Sequence, residues 1–199
     1  MSHKVLFSAV AIALTVVGFY PYIRGILRGS VKPHMFSWVV WAATTLIVFL
    51  AQLEEKGGAG AWAIGFSAAI TFMIALLALI KTSDVSITGS DWVFFIGAMS
   101  SLPLWYFTAD PLWAVVLLTT VDVLGFGPTV RKAYYFPFEE QLTFFALFTA
   151  RNLIVILALE HYSMATVLFP AVIAAACSML MVLIAYRRRV LYAEGDGDG

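Results

Sequence analysis

The chain has 199 residues, 62% of them hydrophobic and 12% charged, with a formal net charge of zero and a mean hydropathy of +0.92. Soluble domains carry roughly a quarter charged residues, so this composition excludes an ordinary soluble globule. No basic, aromatic-interleaved patch occurs, which excludes a nucleic-acid partner. The apolar runs are continuous over about 20 residues rather than alternating over about 10, so the expected class is helical membrane protein, not barrel.

Seven membrane-spanning helices are predicted, at about 5–27, 35–53, 60–81, 91–107, 111–133, 141–159 and 163–187. The first begins beside Lys4, as a secretory leader would. Its small-residue triplets, Ala9-Val10-Ala11 and Ala11-Ile12-Ala13, fall inside the apolar run rather than after it, so a retained helix is expected. His34, in Val31-Lys32-Pro33-His34-Met35, stands at the entry to the second span. There it either anchors a helix end or titrates near neutral pH as part of a gate. The fourth span is the shortest and carries Pro103. The single cysteine, Cys177, lies in the last span, so no intramolecular disulfide can form. Beyond it, Glu194 to Gly199 alternate acid and glycine, and a disordered tail is expected there.

Basic residues are unevenly distributed. Arg24, Arg28, Lys32, Lys81, Arg131, Lys132, Arg187, Arg188 and Arg189 fall on one side of the predicted topology, against Lys4 and Lys56 on the other. The positive-inside rule then places the N-terminus outside and the C-terminus in the cytoplasm.

A short pattern occurs twice. Gly18-Phe19-Tyr20-Pro21-Tyr22-Ile23-Arg24 returns 107 positions later as Gly125-Phe126-Gly127-Pro128-Thr129-Val130-Arg131. Carrying that offset along the chain pairs span one with five, two with six and three with seven, and leaves span four alone. Three helices would invert the second half, and one extra crossing restores its orientation. The expected architecture is an all-α membrane protein of seven transmembrane helices, two parallel three-helix repeats joined by a linker helix. The first repeat would occupy 1–85, the linker 86–109, the second repeat 110–190 and the tail 191–199. Pro21 and Pro128 are candidate hinges, since proline removes a backbone donor and bends a helix. Static kinks are the alternative reading.

The span order, the N-out topology and a proline in the first helix of each repeat resemble the SWEET and PQ-loop transporters, a superfamily that includes the related nicotinamide riboside transporters. The signature Pro-Gln pair is replaced here by Pro21-Tyr22 and Pro128-Thr129. The resemblance implies alternating access, with the two prolines acting as hinges.

Asp122 lies about halfway along the fifth span and Arg151, followed by Asn152, at similar depth in the sixth. Charges at mid-bilayer depth are costly and mark pathways, or else pair with one another. The positions 107 residues earlier are Thr15, Thr44 and Thr45. These six residues form the candidate solute site, with Arg151 an available partner for Asp122; the alternative is an Asp122–Arg151 pair that only satisfies itself and fixes helix register. Trp38 and Trp41, three apart on the second span, offer stacking faces for a ring, or else anchor the interface. Coupling to protons through Asp122 is disfavoured by a neighbouring arginine.

An enzyme is not expected. His3, His34 and His161 all lie near span ends, and no metal-ligand spacing is present. A retinal-binding receptor is excluded because the last span, 163–187, has no lysine. The expected function is a facilitator moving a small polar solute, such as a sugar or vitamin-like molecule, by alternating access. The alternative is a receptor of the same fold that binds without transport. No cofactor is implied; the partners are the solute and the lipid bilayer, and a homo-oligomer is compatible with this reading.

Overall fold

A computed structural model describes residues 2–29, 33, 35–81, 87 and 89–196. His34 lies outside the described residues. Every described element is helical: α1 (His3–Leu27), α2 (Met35–Glu54), α3 (Ala59–Ile80), α4 (Gly89–Thr108), α5 (Pro111–Gly125), α6 (Gly127–Tyr135), α7 (Leu142–Ala158) and α8 (Met164–Asp196), with one 3-10 turn at Pro137–Glu139. Five stretches, His3–Leu27, Met35–Glu54, Ala59–Ile80, Pro111–Tyr135 and Met164–Tyr192, are long and apolar enough to cross a bilayer. Trp92–Thr108 and Leu142–Ala158 are shorter apolar helices.

Two boundaries differ from the sequence reading. The fifth span is two helices, broken at Phe126. There the Phe126 N–H turns back to the Val123 carbonyl at 3.1 Å, a tighter bond than the helical one, and helix resumes with Val130 N–H to Phe126 C=O at 2.9 Å. Pro128 has no N–H to offer its preceding turn, and Gly125 and Gly127 are weak helix formers, so the break sits where helical bonding is poorest. The first copy of the pattern behaves otherwise, since Pro21 lies inside an unbroken α1. The second difference is α8, which stays helical through Asp196, into the segment expected to be a tail. Its extension is held against the turn below α6. Arg187 donates to Tyr134 C=O at 2.9 Å, and Arg188 to Pro137 C=O and Glu140 C=O at 3.1 and 2.8 Å. The guanidinium of Arg187 also covers the Tyr134 ring.

Helix α3 packs between α1 and α2, and α8 packs against both α5 and α7. These two groups meet along two seams, α1 against α7 and α2 against α5. Helix α4 lies against α5 and α2. The larger of two apolar clusters runs through all eight α-helices, including Ala11, Val48, Ile64, Ala98, Leu118, Ala133, Val155 and Cys177. A smaller cluster, Phe19, Ile26, Trp38, Ile70 and Ile74, fills the end of the bundle that carries Arg24 and Arg28. That end is called basic below. The opposite one, with Glu54, Glu55 and Glu160, is called acidic.

The α1–α7 seam is close because Gly18 has no side chain. A Cβ there would lie 2.9 Å from the Phe148 ring, which is itself stacked on Phe144 with centroids 4.4 Å apart and edge-on to Phe19 at 5.2 Å. A Cβ on Gly125, its counterpart in the repeat, meets nothing within 4 Å. Gly18→Ala should therefore cost about 1–3 kcal/mol, the scale of an overpacked core, whereas Gly125→Ala should fold with at least parental stability. Thermal unfolding of both variants in the same detergent checks this contrast.

Candidate functional site

The mid-depth residues separate onto the two seams. On the α1–α7 seam Arg151 is 3% exposed and all three guanidinium nitrogens are engaged. Nε donates to Thr15 Oγ1 at 3.2 Å, Nη1 to Asn152 Oδ1 at 2.9 Å and Nη2 to the Ala63 carbonyl of α3 at 3.1 Å. Asn152 in turn donates through Nδ2 to Phe148 C=O at 2.8 Å, and Cys177 of α8 lies alongside. An extended fork of five N–H donors suits this task, since it ties three helices through one planar group.

Asp122 sits on the other seam. It shares a stripe of α5 with Pro111, Val115 and Leu118, at spacings of 11, 7 and 4, and its carboxyl faces the Thr44 hydroxyl of α2. Its Oδ1 is buried without a hydrogen-bond partner among the described residues. An Asp122–Arg151 pair is not what the structure builds. All of the Arg151 bonds run to neutral acceptors, because the two charges lie on different seams.

The two arrangements correspond. Thr15 and Asp122 are 107 positions apart, as are Thr44 and Arg151. Each seam therefore sets one charged residue against one threonine, with the members exchanged. Sequence reasoning found all four residues but paired them within one half, where the contacts cross between halves.

Burial along the inward faces changes at this level. On α2, Trp41, Thr44, Thr45, Val48 and Gln52 share a face, at helical spacings of 3, 4, 7 and 11 from Trp41. Val48, Gln52 and Thr44 are fully buried and Thr45 nearly so, yet Trp41 is 39% exposed. The lipid-facing stripe of this helix is the opposite one, Leu46, Leu50 and Leu53, so the exposure of Trp41 opens into the seam. Helix α5 repeats the change: Val115 and Leu118 are fully buried, while Asp122 and Gly125 are only partly so. On α7 the change is absent: Val155, Asn152 and Phe145 are buried, and Phe148, though partly exposed, packs against Gly18 and Phe19. The α2–α5 seam is thus buried from mid-depth to the acidic end and loosens toward the basic end at Trp41, Asp122 and Gly125, while the α1–α7 seam stays packed there through Gly18, Phe19 and Phe148.

Polar bonds reinforce the sealed part. Gln52 Nε2 donates to Thr166 C=O at 2.8 Å, and Glu160 N–H to Gly57 C=O at 3.1 Å. Ala59 N–H donates to Glu160 Oε1 at 3.3 Å, which caps the positive end of α3 with a carboxylate from the other group. Gly58, at φ +61°, has no room for a Cβ against the Glu160 side chain. Lys4 Nζ reaches Leu157 C=O and Tyr162 OH at 2.9 and 3.0 Å, and His161 Nδ1 lies 3.1 Å from Glu55 C=O.

Aromatic rings line the loosened part. Trp38 is buried, donates from Nε1 to Tyr22 OH at 3.2 Å and meets Trp41 edge-on at 5.1 Å. Trp38 is thereby a wall residue, and of the two tryptophans it is Trp41 that presents open surface. Among the described residues no group of three His, Cys, Asp or Glu side chains is placed to hold a metal ion. Comparison with models of protein families, with curated proteins and with solved structures finds no match to this chain.

Two measurements bear on this geometry. Arg151→Ala leaves Asn152 Oδ1 without a donor in a buried site and unties α7 from α1 and α3, so it should cost about 3 kcal/mol in unfolding free energy. Arg151→Lys should rescue little, because an ammonium cannot span the fork. In a Cys177→Ser background, Trp41→Cys should react with a water-soluble maleimide and Val48→Cys should not. Equal labelling of the two would contradict an opening confined to the basic end.

Proposed function

We propose that this chain is a membrane transporter that carries a small polar solute by alternating access, built as two three-helix repeats around a linker helix. The observation that carries the proposal is the α2–α5 seam, buried on one side of mid-depth and loosened on the other, with one carboxylate oxygen left unpartnered at the junction. A solute site reached from one side at a time needs that arrangement.

Several features support the repeat. In each group the third helix, α3 or α8, packs on both of its companions, and the seams α1–α7 and α5–α2 exchange under the 107-residue offset. The crossed contacts Thr15–Arg151 and Thr44–Asp122 obey the same exchange. Helix α4 has no counterpart in that scheme and takes the place of the linker. With seven crossings, the positive-inside rule puts the basic end in the cytoplasm. The described conformation is then inward-loosened and outward-closed. Opening to the outside would require the Gln52–Thr166 and Glu160–Gly57 contacts to part, and closing inside would bring Trp41 toward the break at Phe126. Pro21 and Pro128 serve as hinges in this scheme, the second at an interruption already present in the helix.

Uptake by proteoliposomes of the purified chain, screened with labelled sugars, nucleosides, vitamins and amino acids, tests the proposal. At least one solute should accumulate faster than in empty vesicles, and Asp122→Ala should abolish that flux. Full flux through a folded Asp122→Ala protein would remove Asp122 from the site. Saturable binding without flux would make the chain a receptor instead.

A further inference from the structure

We infer that the ligand group received at Asp122 is a protonated amine. This deepens the site proposed above and rests on it for the fate of the ligand, not for its recognition. The seam is short of donors. Asp122 Oδ1 is buried and unpartnered among the described residues, and an ionised carboxylate can only accept. Thr45 has committed its single proton to Trp41 C=O at 2.7 Å, and Thr44 has one proton to serve both Trp41 C=O at 3.1 Å and the Asp122 carboxyl. What these hydroxyls have left to offer is lone pairs.

The one strong donor at this depth is already spent. Arg151 is held by Thr15, Asn152 and the Ala63 carbonyl on the other seam, so its charge is not free to answer Asp122 or to receive an anionic ligand. An ammonium group has three donors, no acceptor and one positive charge, which matches one carboxylate oxygen and two hydroxyl lone pairs. One helical turn toward the basic end, the exposed ring of Trp41 supplies an aromatic face, to which a cation is attracted. A neutral polyol is the weaker match, because each hydroxyl donates only one proton and brings no charge to the carboxylate.

Titration of the detergent-solubilised full-length protein with butylamine and with butan-1-ol, followed by Trp fluorescence and by thermal shift, tests this. The two probes have the same length and differ in the ammonium. Butylamine should bind saturably and the alcohol should not. Asp122→Asn should weaken butylamine by about tenfold or more, the scale of a lost charge-assisted hydrogen bond, and Trp41→Leu should weaken it by a smaller factor. Trp41→Leu keeps the test open if Asp122→Asn fails to fold. Equal binding of amine and alcohol, no binding of either, or unchanged butylamine affinity in a folded Asp122→Asn or Trp41→Leu protein would overturn the inference. Counterflow of labelled butylamine separates the two proposals. Amine binding without counterflow removes transport and leaves the amine site, whereas Asp122-independent flux of a neutral solute leaves transport and removes the amine site.

Discussion

A polar group inside an apolar helix bundle has no water to fall back on, so each one must be answered by another group of the protein or by something that comes and goes. The two mid-depth charges take these two routes. Arg151 is answered at all three guanidinium nitrogens: its fork fastens α7 to α1 and, through the Ala63 carbonyl, to α3. The α1–α7 seam can therefore act as a fixed wall. Asp122 is answered by one hydroxyl and left with a bare oxygen, on a seam whose glycine has open space around it. A carboxylate oxygen left in that condition destabilises the protein.

Much of the fold was legible because its cause is the length and continuity of apolar runs. The helices α1, α2, α3, α4 and α7 and the start of α8 follow the predicted spans closely, and only backbone chemistry at 125–128 divides the fifth. The extension of α8 was not legible. Its ending depends on Arg187 and Arg188 finding carbonyls 48 to 53 residues earlier in the chain, and composition carries no trace of such contacts. The site was legible residue by residue, since Asp122, Arg151, Asn152 and the three threonines stand out against an apolar background. Their pairing was not, because pairing is set by which helices abut. Depth alone suggested Asp122 with Arg151. The 107-residue offset, applied across the halves, would have suggested Thr15 with Arg151 and Thr44 with Asp122. Trp38 and Trp41 show a similar limit, for spacing put them on one face but not at different exposures.

The repeated Gly-Phe-x-Pro-x-(Ile/Val)-Arg pattern carries different physical tasks in its two copies. In the first, Gly18 admits the Phe148 ring, Phe19 meets it edge-on and the helix passes through Pro21 unbroken. That copy is a packing device, and its rigidity follows from close contact. In the second, Gly125 and Gly127 have no neighbours that a Cβ would disturb, and the helix stops at Phe126. That copy interrupts its helix. If the halves rock, their motion should not be shared equally between two hinges. It should concentrate where contact is sparse and helical bonding is already interrupted, leaving α1, α3 and α7 as the frame. The unanswered carboxylate lies one turn from that interruption, so a ligand that satisfies Asp122 acts on the part of the molecule with the least holding it in place.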